Sequence, residues 1–273
     1  MGGNFVEAFS YDFMQRALAA GLVIALLCPL IGFFVVVRRQ SLIGDGLGHL
    51  AFAGVTGASL LGVYPVVGAL AVTVLGSLGI EWVRQRHRAH SDMGLAIVFY
   101  AGMALAVLFS TMNRMGGNSL LSVLFGSILT VTPEDVWSMV GCGLVVGFLL
   151  LKMAPKLLCM AFDEEMAYVS GMPVRKLNCL FSILMAVVVV LGMRIVGILL
   201  VSALMIVPVA AALQFRKGFR VTLALAELFA LLAVLWGLSI SFYLDMAPGG
   251  TIVLCCIFLY MAAGLAAKVF CKD

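Results

Sequence analysis

The chain has 273 residues, of which 64% are hydrophobic and 11% charged, with a formal net charge of +4 and a mean hydropathy of +1.18. So few polar side chains cannot cover a water-soluble domain of this size, which excludes a soluble enzyme and leaves an integral membrane protein. Membrane lipid is its expected surroundings, and no nucleic-acid partner is expected.

Apolar runs of about 20 residues recur along the whole length, each sufficient to cross a bilayer as a helix. No alternating strand pattern of the outer-membrane kind occurs. The expected fold is therefore all-α: a single polytopic transmembrane helical bundle over 1–273. The candidate spans are 13–37, 45–61, 66–84, 92–112, 133–153, 177–193, 195–214, 220–242 and 249–270. That makes nine crossings, or eight if the two runs flanking Arg194 form one long bent helix. The first run is too long for a signal-peptide core and follows an acidic rather than basic segment, so it reads as a retained helix. Basic residues fall in alternate connections: Arg38 and Arg39; Arg84, Arg86 and Arg88; Lys152, Lys156, Arg175 and Lys176; Arg216, Lys217 and Arg220. By the positive-inside rule these face the cytoplasm, which puts the N-terminus outside and the C-terminus, with Lys268 and Lys272, inside. The segment 117–131 is apolar but too short to span, and is expected to be re-entrant or interfacial. Thr132 is placed to cap the helix that follows, with Pro133 in its first turn and Glu134 and Asp135 at its positive end. The seven cysteines form no C-x-x-C pair, and most read as small hydrophobes inside apolar runs.

The stretch around the second span carries the chemistry. Asp45 and His49 are four residues apart, so on a helix they project from one face about one turn from each other. A carboxylate beside an imidazole is metal-ligand chemistry, and an ionisable side chain in an apolar span is costly enough to be a functional candidate by default. Gly44, Gly46 and Gly48 alternate with them and strip bulk from the surface, so that another helix could approach closely. The structural alternative is a helix start with Asp45 as cap and His49 as a packed core histidine. His87 and His90 sit among arginines, where neighbouring cations disfavour a metal. Glu227 is a second acid in an apolar run and is expected to be structural.

One polar segment interrupts the pattern. Residues 162–176 open with Asp163, Glu164 and Glu165 and close on Gly171-Met172-Pro173, reading as a short amphipathic helix outside the membrane. It is either an ordinary solvated helix or a docking element through which a soluble partner drives the bundle.

Gly44-Asp45-Gly46-Leu47-Gly48-His49 with Gly54-Val55 resembles the G-D-x-x-x-H…G-V signature of the membrane permeases of zinc and manganese ABC importers. Further blocks resemble the family in the same order: Leu124-Phe125-Gly126, Asp163-Glu164-Glu165 with Ser170-Gly171, Val196-Gly197 through Ser202 to Pro208, and Leu244-Asp245 with Pro248-Gly249-Gly250. The sequence departs from the family in having Gly46 and Gly48 where serine, threonine or alanine is more usual. The resemblance implies a homodimer in the bacterial inner membrane, a cytoplasmic ATPase docked on Asp163, Glu164, Glu165 and Gly171, and an extracytoplasmic metal-binding protein. No G-x-x-x-x-G-K-[ST] phosphate loop occurs, so ATP hydrolysis is expected of a separate subunit, and this chain is not expected to be an enzyme. The metal ion is cargo rather than a resident cofactor. One chain offers only Asp45 and His49, whereas a borderline ion commonly takes about four ligands, so two chains around a two-fold axis complete the set. The expected ion is zinc over manganese, because His49-Leu50-Ala51-Phe52-Ala53-Gly54 looks closer to the zinc branch. The rival reading is a stand-alone secondary transporter or channel in which Asp45 and Glu227 couple protons or sodium.

Overall fold

The computed structural model describes residues 11–86, 91–113, 117–127, 131–198 and 200–270. His87, His90, Arg114, Cys271 and Lys272 lie outside them. The described residues are helical, in the order α1 Asp12–Val37, α2 Ile43–Leu60, α3 Pro65–Arg86, α4 Ser91–Met112, α5 Gly117–Phe125, α6 Pro133–Phe162, α7 Glu164–Val169, α8 Val174–Gly192, α9 Val201–Leu213, α10 Phe219–Leu244 and α11 Pro248–Phe270.

Seven of these are long and apolar enough to cross a membrane: α1, α3, α4, α6, α8, α10 and α11. Nine spans is thus more than length and hydropathy support. The two expected spans that fall short are α2, whose apolar run is diluted by Asp45, His49 and glycines, and α9, which has 13 residues. The bent-helix alternative around Arg194 does not occur either. α8 stops at Gly192, and the chain passes through turns that include Gly197 at φ +86° before α9 begins.

α1 is the centre of the bundle. Its small residues Ala17, Ala20, Gly21, Ala25 and Cys28 are buried, and it packs on α6, α8, α9 and α10. Lipid tails are as apolar as leucine, so helices in a membrane associate through close packing, which small residues permit. At Gly32 the backbones of α1 and α9 meet: a methyl there would overlap the carbonyl oxygen of Met205. α2 packs mainly on α3 and α4, and reaches the rest through α8 and α9.

α6 starts as its sequence requires. The Thr132 hydroxyl accepts from the Asp135 backbone N–H at 3.2 Å, and the Asp135 carboxylate accepts from the Thr132 N–H at 3.1 Å, a reciprocal cap. The helix runs through Pro155 to Phe162, nine residues beyond the expected span end at 153. The same Asp135 carboxylate also takes an ion pair from Arg194 at 3.1 Å, and Arg194 donates to the Tyr64 hydroxyl at 2.9 Å. Arg194 therefore ties the α8–α9 connection to the start of α6 and to the α2–α3 turn.

Beside that tether, three separate backbones touch. The Ile198 N–H donates to the Val123 carbonyl of α5 at 3.2 Å. A methyl at Gly126 would overlap the Ile195 carbonyl oxygen, one at Gly197 the Leu124 carbonyl oxygen, and one at Gly249 the Val196 carbonyl oxygen. Gly126 and Gly197 also adopt φ of +79° and +86°, which L side chains rarely tolerate. Of the short segment expected over 117–131, residues 128–130 lie outside the described residues, and 117–125 form the nine-residue helix α5, whose end is pinned by backbone contact to the turn before α9.

Candidate functional site

The candidate metal pair sits on α2, near its start. Asp45 and His49 are both partly buried, one helical turn apart, in a helix whose remaining residues from Ile43 to Val55 are buried. The alternating glycines do what their spacing suggests. Gly48 faces the Ile198 carbonyl oxygen, 2.9 Å from where a Cβ would sit, Gly44 faces the Ser202 Cβ at 3.1 Å, and Gly46 faces a Leu95 methyl at 3.3 Å. The turn before α9 and the start of α9 on one side, and α4 on the other, flank the face that carries the pair.

Two neighbours then define the site. The Ser202 hydroxyl donates a hydrogen bond to Asp45 Oδ1, and Ser202 is 5% exposed. A hydroxyl donor fixes one oxygen of the carboxylate and leaves the other for a ligand, the usual work of a group that orients a metal-binding side chain. On the other side, the His49 ring meets the Phe99 ring edge-on, with centroids 4.4 Å apart and an interplanar angle of 73°. Phe99 thereby packs against the imidazole from α4. Asp45 is not a helix cap, because the residue at that position is Leu42 and offers no side-chain bond.

Position along α9 speaks to how far the pair lies from the basic end of the bundle. Ser202 is eleven residues before Leu213, about 17 Å along the helix at 1.5 Å per residue, and Leu213 is followed by the basic turn 216–220. Asp45, bonded to Ser202, is therefore well inside the bundle although it follows Arg39 by only six residues.

Among the described residues, no three His, Cys, Asp or Glu side chains cluster as a metal site. One chain thus supplies two strong ligands, with the Ser202 hydroxyl beside them. Glu227 is partly buried on α10, which packs on α1, α9 and α11 and is not a principal neighbour of α2. Sequence reasoning assigned no role to Ser202 or Phe99. The hydroxyl was visible as a polar residue in the apolar run before Pro208, but its register against Asp45 follows only from the turn at 193–200.

The expected docking segment is a single turn and a half of helix, α7. Asp163 caps it, accepting from the N–H groups of Glu165 and Met166, both at 2.9 Å. Gly171 ends it at φ +80°. Glu164 points back to the bundle and accepts from the Asn178 side chain at 2.9 Å, while Glu165, Met166, Tyr168 and Val169 are exposed.

This bundle, with its acid-histidine pair inside an apolar helix, is that of a membrane transport protein, and the chain matches the ABC 3 transport family over residues 10–267. It belongs to that family. It is 40% identical over 252 residues to a probable metal transport system membrane protein of Treponema pallidum, covering 92% of this chain and 94% of that one. It is 34% identical over 259 residues to the manganese transport system membrane protein MntC of Halalkalibacterium halodurans, covering 95% and 89%. Among solved structures, PsaBC from Streptococcus pneumoniae in complex with Fab matches with a TM-score of 0.85 at 28% identity, over 95% of this chain and 94% of that one. The chain is accordingly a multi-pass membrane protein of a metal ABC importer family, as the sequence blocks implied.

Proposed function

We propose that this chain is the permease subunit of an ATP-driven importer, and that a divalent transition metal passes Asp45 and His49 at an interface between two copies. The observation that carries the reading is the half-site: two ligands one turn apart, oriented by Ser202 and Phe99, with no third strong ligand among the described residues. A second copy brings the count to four. α4 flanks the pair and leaves Ile97, Tyr100, Met103 and Val107 exposed, an apolar face available to that copy or to lipid. In this reading α2 and α9 also lie within the membrane, giving nine crossings with the N-terminus outside and the C-terminus inside. Reporter fusions after Met1 and after Asp273 should report opposite sides of the membrane, and agreement between them removes the odd count.

For the ion, the names of the relatives support manganese, and the Ser202 hydroxyl beside Asp45 adds oxygen character that manganese favours. The two imidazoles of a dimeric site support zinc, which the sequence alone favours. Reconstitution of the chain with its ATPase and binding protein in vesicles, followed by uptake of manganese against zinc, decides between them. Uptake without any ATPase would instead establish the secondary transporter that uses Asp45 and Glu227.

The ATPase is proposed to dock on α7. Because Asp163, Glu164 and Gly171 shape and anchor this helix, the contact falls to Glu165 and the exposed Met166, Tyr168 and Val169. Glu165→Lys is expected to lower co-purification of the ATPase about tenfold while membrane insertion is unchanged. Glu164→Lys is expected also to destabilise the chain, since it breaks the bond to Asn178. Equal ATPase recovery from the Glu165→Lys variant and the parent would remove α7 as the docking element.

A further inference from the structure

At the basic end of the bundle the ends of α1 and α3, the starts of α2 and α8, and α7 enclose a cavity of about 590 Å³. Arg38, Arg39, Arg84 and Arg175 line it, with Glu164 as the single lining carboxylate. The adjacent Glu81 is already consumed: it takes two bonds from Arg84 at 2.9 Å and one from Gln85 at 2.8 Å. Glu164 is shared between Asn178 at 2.9 Å and Arg84 at 3.8 Å. Arg38 donates to the neutral Asn178 side chain at 2.7 Å, and Asn178 is 1% exposed. Among the described residues no carboxylate pairs directly with Arg38, Arg39 or Arg175.

Among the described residues, positive charge therefore exceeds negative charge around a partly open space, in which Arg38 and Arg84 are partly buried and Arg39 and Arg175 exposed. Burial, with the Arg84 charge as a second cause, pushes the Arg38 pKa down. Glu164 and Glu81 offset part of that cost, and arginine does not relieve the rest by giving up its proton at neutral pH, so an anion at this wall adds compensation. Two more sources of positive potential face the same space. α2 and α8, of 18 and 19 residues, both begin at the cavity wall, and neither has a side-chain cap. Helix starts add partial positive charge to that of the guanidinium groups, more at α8 than at α2, whose first turn carries Asp45.

We propose that this cavity binds a phosphate-bearing anion. Planar guanidinium forks match phosphate oxygens, and a phosphate brings up to two negative charges and several acceptors where a carboxylate brings one charge. The cavity is roomy for phosphate alone. Exposed Leu42 at its wall, with Leu95 and Ile80, supplies an apolar border of the kind a lipid headgroup and its first acyl carbons would meet. The chemistry is shared by an anionic phospholipid headgroup and a free phosphate compound. Either would bridge α7 to the start of α2, two residues from Asp45.

The test uses the full chain purified in complex with its ATPase. Thermal unfolding is followed with inorganic phosphate, with phosphatidylglycerol and with phosphatidylcholine, each against chloride at equal ionic strength, and bound phosphorus is measured after lipid extraction. The parent is expected to gain several degrees from phosphate or from phosphatidylglycerol, and nothing from phosphatidylcholine. Arg39→Gln combined with Arg175→Gln is expected to need about tenfold more anion for the same gain. Its melting temperature without anion should be equal or higher, because like charges have been removed. Phosphatidylglycerol alone protecting, with phosphorus retained in lipid form, identifies a headgroup; inorganic phosphate protecting equally identifies a free phosphate. No gain from either over chloride, or an unaltered gain in the double variant, overturns the proposal. So does a double variant that loses the ATPase while phosphorus content is unchanged, because the arginines then serve a protein carboxylate. None of these readouts depends on metal transport through Asp45 and His49.

Discussion

Asp45→Asn and His49→Ala should each reduce metal uptake by at least about 100-fold, with expression and assembly with the ATPase retained. The size follows from what each change removes. Asparagine keeps the shape of the side chain and its bond with Ser202, but it presents a neutral carbonyl or amide to a divalent ion that has given up water. Alanine at position 49 removes both imidazoles of a two-copy site, half of its four ligands. Ser202→Ala is expected to be milder, about ten- to 100-fold, because it frees the Asp45 carboxylate to rotate without removing it. Glu227→Gln on the separate α10 should leave uptake near the parental rate if an ATPase drives transport. Uptake of labelled manganese and zinc into vesicles measures all four. A double Asp45→Asn, His49→Ala variant that transports at the parental rate would reduce the pair to a structural feature.

Gly249→Ala is expected to cost about 3 kcal/mol or more, and Gly197→Ala a similar amount, whereas Gly250→Ala should be close to neutral. At Gly249 the added methyl meets two carbonyl oxygens, of Val196 and Phe125, and neither backbone can retreat without breaking contacts of its own. At Gly197 the added methyl strikes the Leu124 carbonyl, and φ of +86° is strained for any L side chain. Gly250, the next residue in the chain, has open space around its Cβ position and controls for helix propensity. Monodispersity and melting temperature in detergent separate the three. A Gly249→Ala protein as stable as Gly250→Ala would show that the junction opens readily.

The long apolar helices were legible because a run of about 20 apolar residues admits few other structures, and their bounds in α1, α3, α10 and α11 lie within a few residues of expectation. The cap at Thr132 was legible for the same kind of reason, since a hydroxyl, a proline and an acid at those offsets satisfy the orphan N–H groups locally. What escaped depends on contacts distant in sequence. The break that follows Gly192 is held by Arg194 reaching Asp135 and Tyr64, and no local pattern announces those partners. Asp45 and His49 stood out as candidates from the cost of polar groups in an apolar run. Their partners Ser202 and Phe99 were not, because each comes from another helix. The four-glycine set at 126, 197, 249 and 250 could be seen only as separate fragments of family blocks. Three of those glycines meet at one point, and the fourth stands free.

Between Arg194 and Ser202 the described residues are held at three points: by the Asp135 and Tyr64 tether at Arg194, by the Val123 carbonyl at Ile198, and by Asp45 at Ser202. A strap so pinned has little slack. A push that dislodges Arg194 at one end of the bundle reaches the hydroxyl that steers Asp45 before it can be absorbed. On the proposed function the traffic runs both ways, since an ion that turned the carboxylate away from Ser202 would loosen the strap's inner anchor. If an ion binds Asp45 as proposed, its occupancy and the hold on Arg194 are two readings of one spring, coupled by the same free energy in either direction.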